Sequence, residues 1–383
     1  MHIAGGLYRE LCLHPHWDCL LGSGGRAARA LSKISPGTNF SCYFERPQYF
    51  DAVLHALGVT GSCAVRLDPI VFAYFHPLSR PHLQPAQSEL RRMPPLKIEG
   101  KAALRFGFLE GDAIVNAERA VYDPQTTGEF QAFFSNGSTA KQLTLVLNEQ
   151  ELLSVAKIDS IEAAAASILE SHKANCIVVK RGIKGVAVFE AGSAPRFAPA
   201  FRSGHVFKIG TGDVFSAAFA HYWAEVGQDF FDAALSASRQ VARYCDHPLV
   251  PLGPLPSIAP DVRDERHPVS KPGTVLLLGA INTLGQRYSI EEAKYSLAGL
   301  GLTVVCPALE DVELSTIQVS TVLLLADGID ADMLPVAQRL IDKGARCVAL
   351  AEIPQSCRQL TVLTNCETTD DFSTALYMAG WTN

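Results

Sequence analysis

The chain lacks any apolar run long enough to cross a bilayer. Its longest, Thr274–Ala280 and Thr321–Ala326, fall far short of the ~20 residues a spanning helix requires. No C-x-x-C pair occurs among ten scattered cysteines, which argues against a zinc module or a disulfide framework and for reduced thiols in a cytosol. The first residues, MHIAGGLYRE, show no basic segment followed by a long apolar one, so no signal peptide and a cytoplasmic location are expected. No run of five or six like charges suggests a tail or a polybasic membrane patch. With 33 basic and 39 acidic side chains the net charge is −6, which argues against a nucleic-acid partner. Internal repeats and low-complexity blocks are absent as well.

What is present is a mixed α/β pattern over 383 residues, 48% hydrophobic and 19% charged. At roughly 150 residues per domain, two domains are expected. His2–Gly6 reads as a strand running into a Gly-Gly turn, and Gly22–Gly25 as a second glycine turn before a helix over Arg26–Lys33. The stretch to about Lys97 has weaker signals. Arg66–His76 is β-rich, and the proline-punctuated residues after it suggest an irregular loop or lid. From Lys101 strands and helices alternate: strands at 102–109, 113–122, 142–147, 176–180 and 185–189, and helices at 160–172, 214–225 and 229–244. This rhythm predicts a mostly parallel, helix-covered sheet. Seven prolines lie in Pro248–Gly273, which reads as an interdomain linker. The α/β rhythm then restarts at Val275 and suits a small Rossmann-like domain.

Gly210-Thr211-Gly212-Asp213 runs straight into the helix-like VFSAAFAHYW. Two glycines let successive amides converge on one point, and a helix N-terminus adds partial positive charge, a site for phosphate or a developing oxyanion. Asp213 would face that point as a proton acceptor; the same residues also describe a turn with an acidic N-cap. Asn148 and Glu151 stand at a strand-to-helix junction, where they could orient hydrated Mg²⁺ or simply form a capping box. Lys180, Gly182 and Gly185 belong to a Gly-x-x-Gly turn after a strand, suited either to a nucleotide or to a solvated hairpin. The aromatic residues Tyr43, Phe44, Phe50, Phe72, Tyr74 and Phe75 could wall a pocket, with core packing as the default. Arg66 fits a polar cap as well as a site.

In this order and on these elements, the motifs resemble the ribokinase/PfkB carbohydrate-kinase family over about residues 1–250. The family's Gly-Ala-Gly-Asp anion hole stands here as Gly210–Asp213, its Asn-x-x-Glu as Asn148 and Glu151, and its ATP-site turn as Gly182–Gly185. Gly5-Gly6 and Gly24-Gly25 resemble its two sugar-contacting turns. The resemblance implies a ribokinase-like sheet covered by helices, ATP and Mg²⁺ as cofactors, a small-molecule acceptor and a homodimer. It also implies Asp213 as base, Gly210, Thr211 and Gly212 as the anion hole, and Asn148, Glu151, Lys180, Gly182 and Gly185 at the nucleotide, with Glu151 acting on the metal through water. Glu10, Gly24, Gly25 and Arg29 fall at the acceptor. Three positions depart from the family: Glu10 replaces an Asp, Arg29 an Asn, and Phe207-Lys208-Ile209 an Asp-Thr-Thr segment tied to potassium activation.

Residues 275–310 carry a second resemblance, to the opening of nucleoside 2-deoxyribosyltransferases, on Arg287, Glu291, Glu292, Ala293 and Pro307. The place of that family's glutamate nucleophile is Val336, which cannot form a glycosyl ester. The sequence therefore predicts an ATP-dependent phosphotransferase over 1–250, a linker over 251–273 and a degenerate transferase-like domain over 274–383. A catalytically silent ligand sensor is the alternative, followed by an active deoxyribosyltransferase.

Overall fold

A computed structural model describes residues 1–126, 131–255, 273–313 and 317–381. Most of the expected linker, 251–273, lies outside them. The described chain divides into two compact units. One holds Met1–Arg181, Gly185–Phe201 and the residues from Lys208 to 255; the other holds Gly182–Lys184, Arg202–Phe207 and 273–381. Among the described residues no helix is long and apolar enough to cross a membrane.

The strands of the first unit are β1 (His2–Ala4), β2 (Arg9–Cys12), β3 (Trp17–Leu20), β4 (Asn39–Phe44), β5 (Thr60–Val65), β6 (Val71–Tyr74) and β7 (His82–Gln84). They continue with β8 (Leu96–Phe106), β9 (Ala113–Asp123), β10 (Thr139–Asn148), β11 (Cys176–Lys180), β12 (Val186–Glu190) and β13 (Arg196–Ala198). Nine of them form one sheet in the order β13-β12-β11-β10-β9-β8-β1-β4-β5. From β11 to β5 all pairings are parallel, and β12 alone runs against the rest, pairing antiparallel with both β11 and β13. The helices are α1 (Gly22–Leu31), α2 (Phe50–Leu57), α3 (Glu149–Ala156), α4 (Ile161–Ser171), α5 (Thr211–Ala220) and α6 (Phe230–Asp246). Leu145, Leu147, Ile177 and Val179 face α3 and α4, meeting Leu152, Ala164 and Ile168. Val146 and Val178 alternate with them and are equally buried, while α5 and α6 pack on β8, β9 and β12. A strand covered on both faces reads as a continuous apolar run, which is why QLTLVL and CIVVK look as they do.

A smaller sheet, β3-β2-β6-β7, takes β6 from the β-rich stretch Arg66–His76 and β7 from the proline-punctuated residues expected as loop or lid. The helix expected after Gly25 in fact begins at Gly22. Gly24 N and Gly25 N donate to Gly6 O at 2.9 and 3.3 Å. A Cβ on Gly24 would lie 2.6 Å from the Gly5 carbonyl carbon, so these glycines serve close packing of α1 on the turn after β1.

In the second unit five strands, β14 (Thr274–Gly279), β15 (Thr303–Val305), β16 (Thr321–Leu325), β17 (Arg346–Leu350) and β18 (Cys366–Thr369), pair in parallel in the order β15-β14-β16-β17-β18. This is the doubly wound order 2-1-3-4-5. Helix α7 (Leu284–Gly299) starts at a capping box formed by Thr283 and Gln286. Helix α8 (Met333–Asp342) brings Ala337 onto Leu276, Val322 and Leu324. Helices α9 (Pro354–Gln359) and α10 (Phe372–Gly380) complete the unit.

Candidate active site

Three parallel strands deliver the charged groups. Asp123 ends β9, Asn148 ends β10 and Lys180 ends β11, so all three stand at the carboxyl edge where open α/β sheets place ligands. Gly210 caps α5 with φ +78°, a left-handed conformation that favours glycine. A Cβ there would overlap the Arg26 guanidinium, and one on Gly212 would lie 3.4 Å from Lys180 Nζ. Two cations thus flank the glycine cradle. The first-turn amides of α5 have no acceptor within the helix and add their partial positive charge.

Asp213 sits in that first turn, largely buried. Gln125 Nε2 donates to its Oδ1 at 2.6 Å, and Arg26 Nε lies 3.4 Å from its Oδ2. Burial pushes its pKa up to about 6; Arg26 opposes the shift, while Asp123 and Glu10 reinforce it. Arg26 is 2% exposed and donates to Glu10 and to the Tyr244 hydroxyl. Tyr244 in turn donates to Ile209 O at 2.7 Å, just before the cradle. The chain Glu10–Arg26–Asp213 therefore joins β2, α1 and α5.

A second charged group lies behind the first. Asp123 is fully buried, and its Oδ2 accepts from Lys180 Nζ at 2.7 Å and from Ser216 Oγ at 2.6 Å. Its Oδ1 is buried with no partner among the described residues. Burial disfavours the charge on Lys180, but Asp123 and Glu151 hold its pKa above the ordinary value. Asn148 and Glu151 form a capping box on α3, with reciprocal bonds of 2.8 Å. Burial raises the Glu151 carboxyl to about 7, Lys180 pulling it down and Asp123 pushing it further up.

Asp213, Gly210, Thr211 and Gly212 open onto a cavity of about 770 Å³. Its walls carry Tyr8, Phe72, Tyr74, Phe108 and Tyr122, with Arg92 and Lys208 among the polar lining. Phe72 and Tyr74 thus line a pocket, whereas Tyr43, Phe44 and Phe50 are core. Glu10 also lines it, with its carboxylate committed to Arg26. Arg66, ambiguous in sequence, is structural: it pairs with Glu45 at 2.7 Å and Glu110 at 3.1 Å.

Several expected residues stand elsewhere. Arg29 does not line the cavity; its Nε donates to Leu249 O at 2.8 Å. Gly24 and Gly25 are packing glycines outside the lining. Gly182 and Gly185 lie outside it too, and Gly185 is required because a Cβ would overlap Ala198 O. Sequence reading missed Arg26, Asp123 and Gln125. The only local trace of the last two was a charged residue followed by proline at a strand end, Asp123-Pro124. Arg26 lies in the same helical turn as Arg29, and sequence alone does not separate the two.

No curated protein matches the chain. Among solved structures, a probable sugar kinase protein from Rhizobium etli CFN 42 is 13% identical, with 66% of this chain and 94% of that chain covered at a TM-score of 0.50. A ribokinase from Arabidopsis thaliana, complexed with ribose and ATP, is 16% identical with 65% and 95% covered and a TM-score of 0.49. Aminoimidazole riboside kinase from Salmonella enterica, complexed with aminoimidazole riboside and an ATP analog, is 12% identical with 64% and 93% covered at 0.47. None of these comparisons supports the deoxyribosyltransferase resemblance of the second unit. Residues 123–242, from the buried carboxylate of β9 through the glycine cradle and into α6, match the model of the pfkB family carbohydrate kinases.

Proposed function

We propose that the first unit is an ATP-dependent phosphotransferase acting on a hydroxyl of a sugar, nucleoside or related small molecule. The observation that carries this is Asp213: a carboxyl with a pKa near 6, placed between a glycine cradle and a cavity of about 770 Å³. A base of that pKa is ionised at neutral pH and still basic enough to accept a proton from an attacking hydroxyl. The Gly210–Gly212 amides and the α5 N-terminus stabilise negative charge on the group in transfer. Lys180 and Arg26 are held rigid by Asp123 and Glu10, so they supply positive charge without reorganisation. The aromatic walls shield the reacting atoms from water and suit the faces of a ring-shaped acceptor.

Buried Asp123 Oδ1 and the neighbouring Glu151 fit a hydrated Mg²⁺, being hard oxygen donors of which one has no partner among the described residues. Mg²⁺, when bound, neutralises charge across the donor phosphates. Asn148 supports Glu151 through the capping box.

One observation favours the alternative of a silent sensor. Both oxygens of Asp213 are engaged, one by Gln125 and the other by Arg26. ADP release followed with Mg–ATP and a panel of sugars and nucleosides separates the readings. The kinase reading expects acceptor-dependent release that falls by about 10²–10⁴-fold in Asp213→Asn, with ATP binding retained. Binding by calorimetry without turnover on any acceptor supports the sensor instead.

In the second unit no observation supports deoxyribosyl transfer. Val336 supplies no nucleophile, and Asp327 accepts from the amides of Glu352 and Ile353 at 3.1 and 3.3 Å. Arg287 and Glu291, which carried the resemblance, form an exposed pair at 2.9 Å along α7.

A further inference from the structure

We propose that Cys347 and Cys366 form a thiol–disulfide exchange site in the second unit, oxidised by a low-molecular-weight disulfide such as oxidised glutathione. The two residues are direct partners in the parallel ladder of β17 and β18. Neighbouring strands run about 4.8 Å apart, inside the Cα separation that a disulfide bridges. Both thiols are free, and the sulfurs lie 3.1 Å apart, so closing the bond asks for about 1 Å of movement. That movement is available because β18 is an edge strand, paired on one side only.

The pair is also chemically unequal. Cys347 is fully buried in the core under α8, while Cys366 is half-buried at its rim. Cys347 donates its S–H to the Cys366 sulfur, which holds the Cys366 thiol below its ordinary range and the Cys347 thiol above it. The accessible member is therefore the better thiolate. In the first step the Cys366 thiolate attacks oxidised glutathione, forming a mixed disulfide and expelling one glutathione thiolate. In the second, Cys347 loses its proton to that thiolate or to water and attacks the Cys366 sulfur. The protein disulfide forms, and the second glutathione leaves. Two thiols are oxidised and one disulfide is reduced.

The test equilibrates the reduced full-length chain with glutathione mixtures of increasing oxidised fraction, then acid-quenches, alkylates and maps peptides by mass. The expected product is a linked Cys347–Cys366 peptide, two hydrogens lighter, forming before the exposed Cys357 is modified. Cys347→Ser should accumulate the glutathione adduct on Cys366 about tenfold over wild type, because resolution is lost. Cys366→Ser should show neither product. The proposal fails if the most oxidising mixture yields no linked peptide, or if Cys366 carries a stable adduct in wild type. Should Cys347→Ser not fold, the rate of alkylation in reduced wild type decides: Cys366 must react ahead of Cys63, another half-buried thiol, or the proposal falls.

Discussion

At the scale of single residues, Arg26 and Asp213 form a buried charge contact beside the glycine cradle. A carboxyl raised to about 6 by burial keeps its proton in the folded state over a range where the unfolded chain has lost it. Ionisation then costs stability: the folded state is favoured below the unfolded value near 4, and that contribution is lost as pH rises through about 6. The shift corresponds to about 3 kcal/mol above that window. Asp213→Asn should therefore melt no lower than wild type at pH ~8 while losing turnover, a separation of stability from activity that a thermal melt beside an ADP assay reads directly. The acidic limb of kcat/KM should fall between about 6 and about 7, because Asp213 and Glu151 titrate as neighbours. Arg26→Met removes the cation that opposes burial, so the limb should move to higher pH. An unmoved limb in a folded variant would show that Arg26 does not tune the base.

At the scale of elements, strand ends and helix starts do the positioning. β9, β10 and β11 each finish on a polar residue, α3 begins directly after β10, and the first turn of α5 brings Gly212 beside Lys180. The capping box on α3 ties Asn148 to Glu151 in both directions, so one motif serves helix initiation and places a carboxylate near Lys180. Asn148→Ala should cost about 1 kcal/mol in urea unfolding. It should also lower ATP affinity more than acceptor affinity, since Glu151 loses its anchor. Equal effects on both would mean that the box is a helix cap and nothing more. The glycine turns are instructive for a related reason. In sequence Gly24-Gly25 and Gly210-x-Gly212 look alike, yet the first pair packs α1 against Gly5 and the second opens on the cavity. Backbone freedom is legible from glycine itself; its purpose depends on what lies opposite.

For the whole molecule, two compact units with separate cores imply two thermal transitions in calorimetry. Mg–ATP at 100 times its dissociation constant should stabilise the transition of the larger unit by about 2.7 kcal/mol and leave the other in place. A shift of the smaller transition alone would place the nucleotide in the second unit and overturn the assignment of the glycine cradle.

The amino-acid order by itself determined the α/β rhythm, the buried strands and the cradle at Gly210–Asp213, because those depend on periodicity and on local backbone freedom. It left β4 and β5 unread, since β4 is buried along nearly its whole length and carries no alternation, while β5 is an edge strand with no buried residue; the Arg29 it expected at the acceptor bonds to Leu249 O, and Arg26 meets Glu10 and Asp213. Residues three apart on α1 share a face, but only Arg26 reaches Asp213 on α5. Asp123, Glu10, Arg26 and Asp213 come from four separate elements, and neither their ion pairs nor the raised carboxyl pKa exists until the sheet assembles. Tertiary structure alone decided that, because burial and Coulomb interaction depend on distance in space and not along the chain.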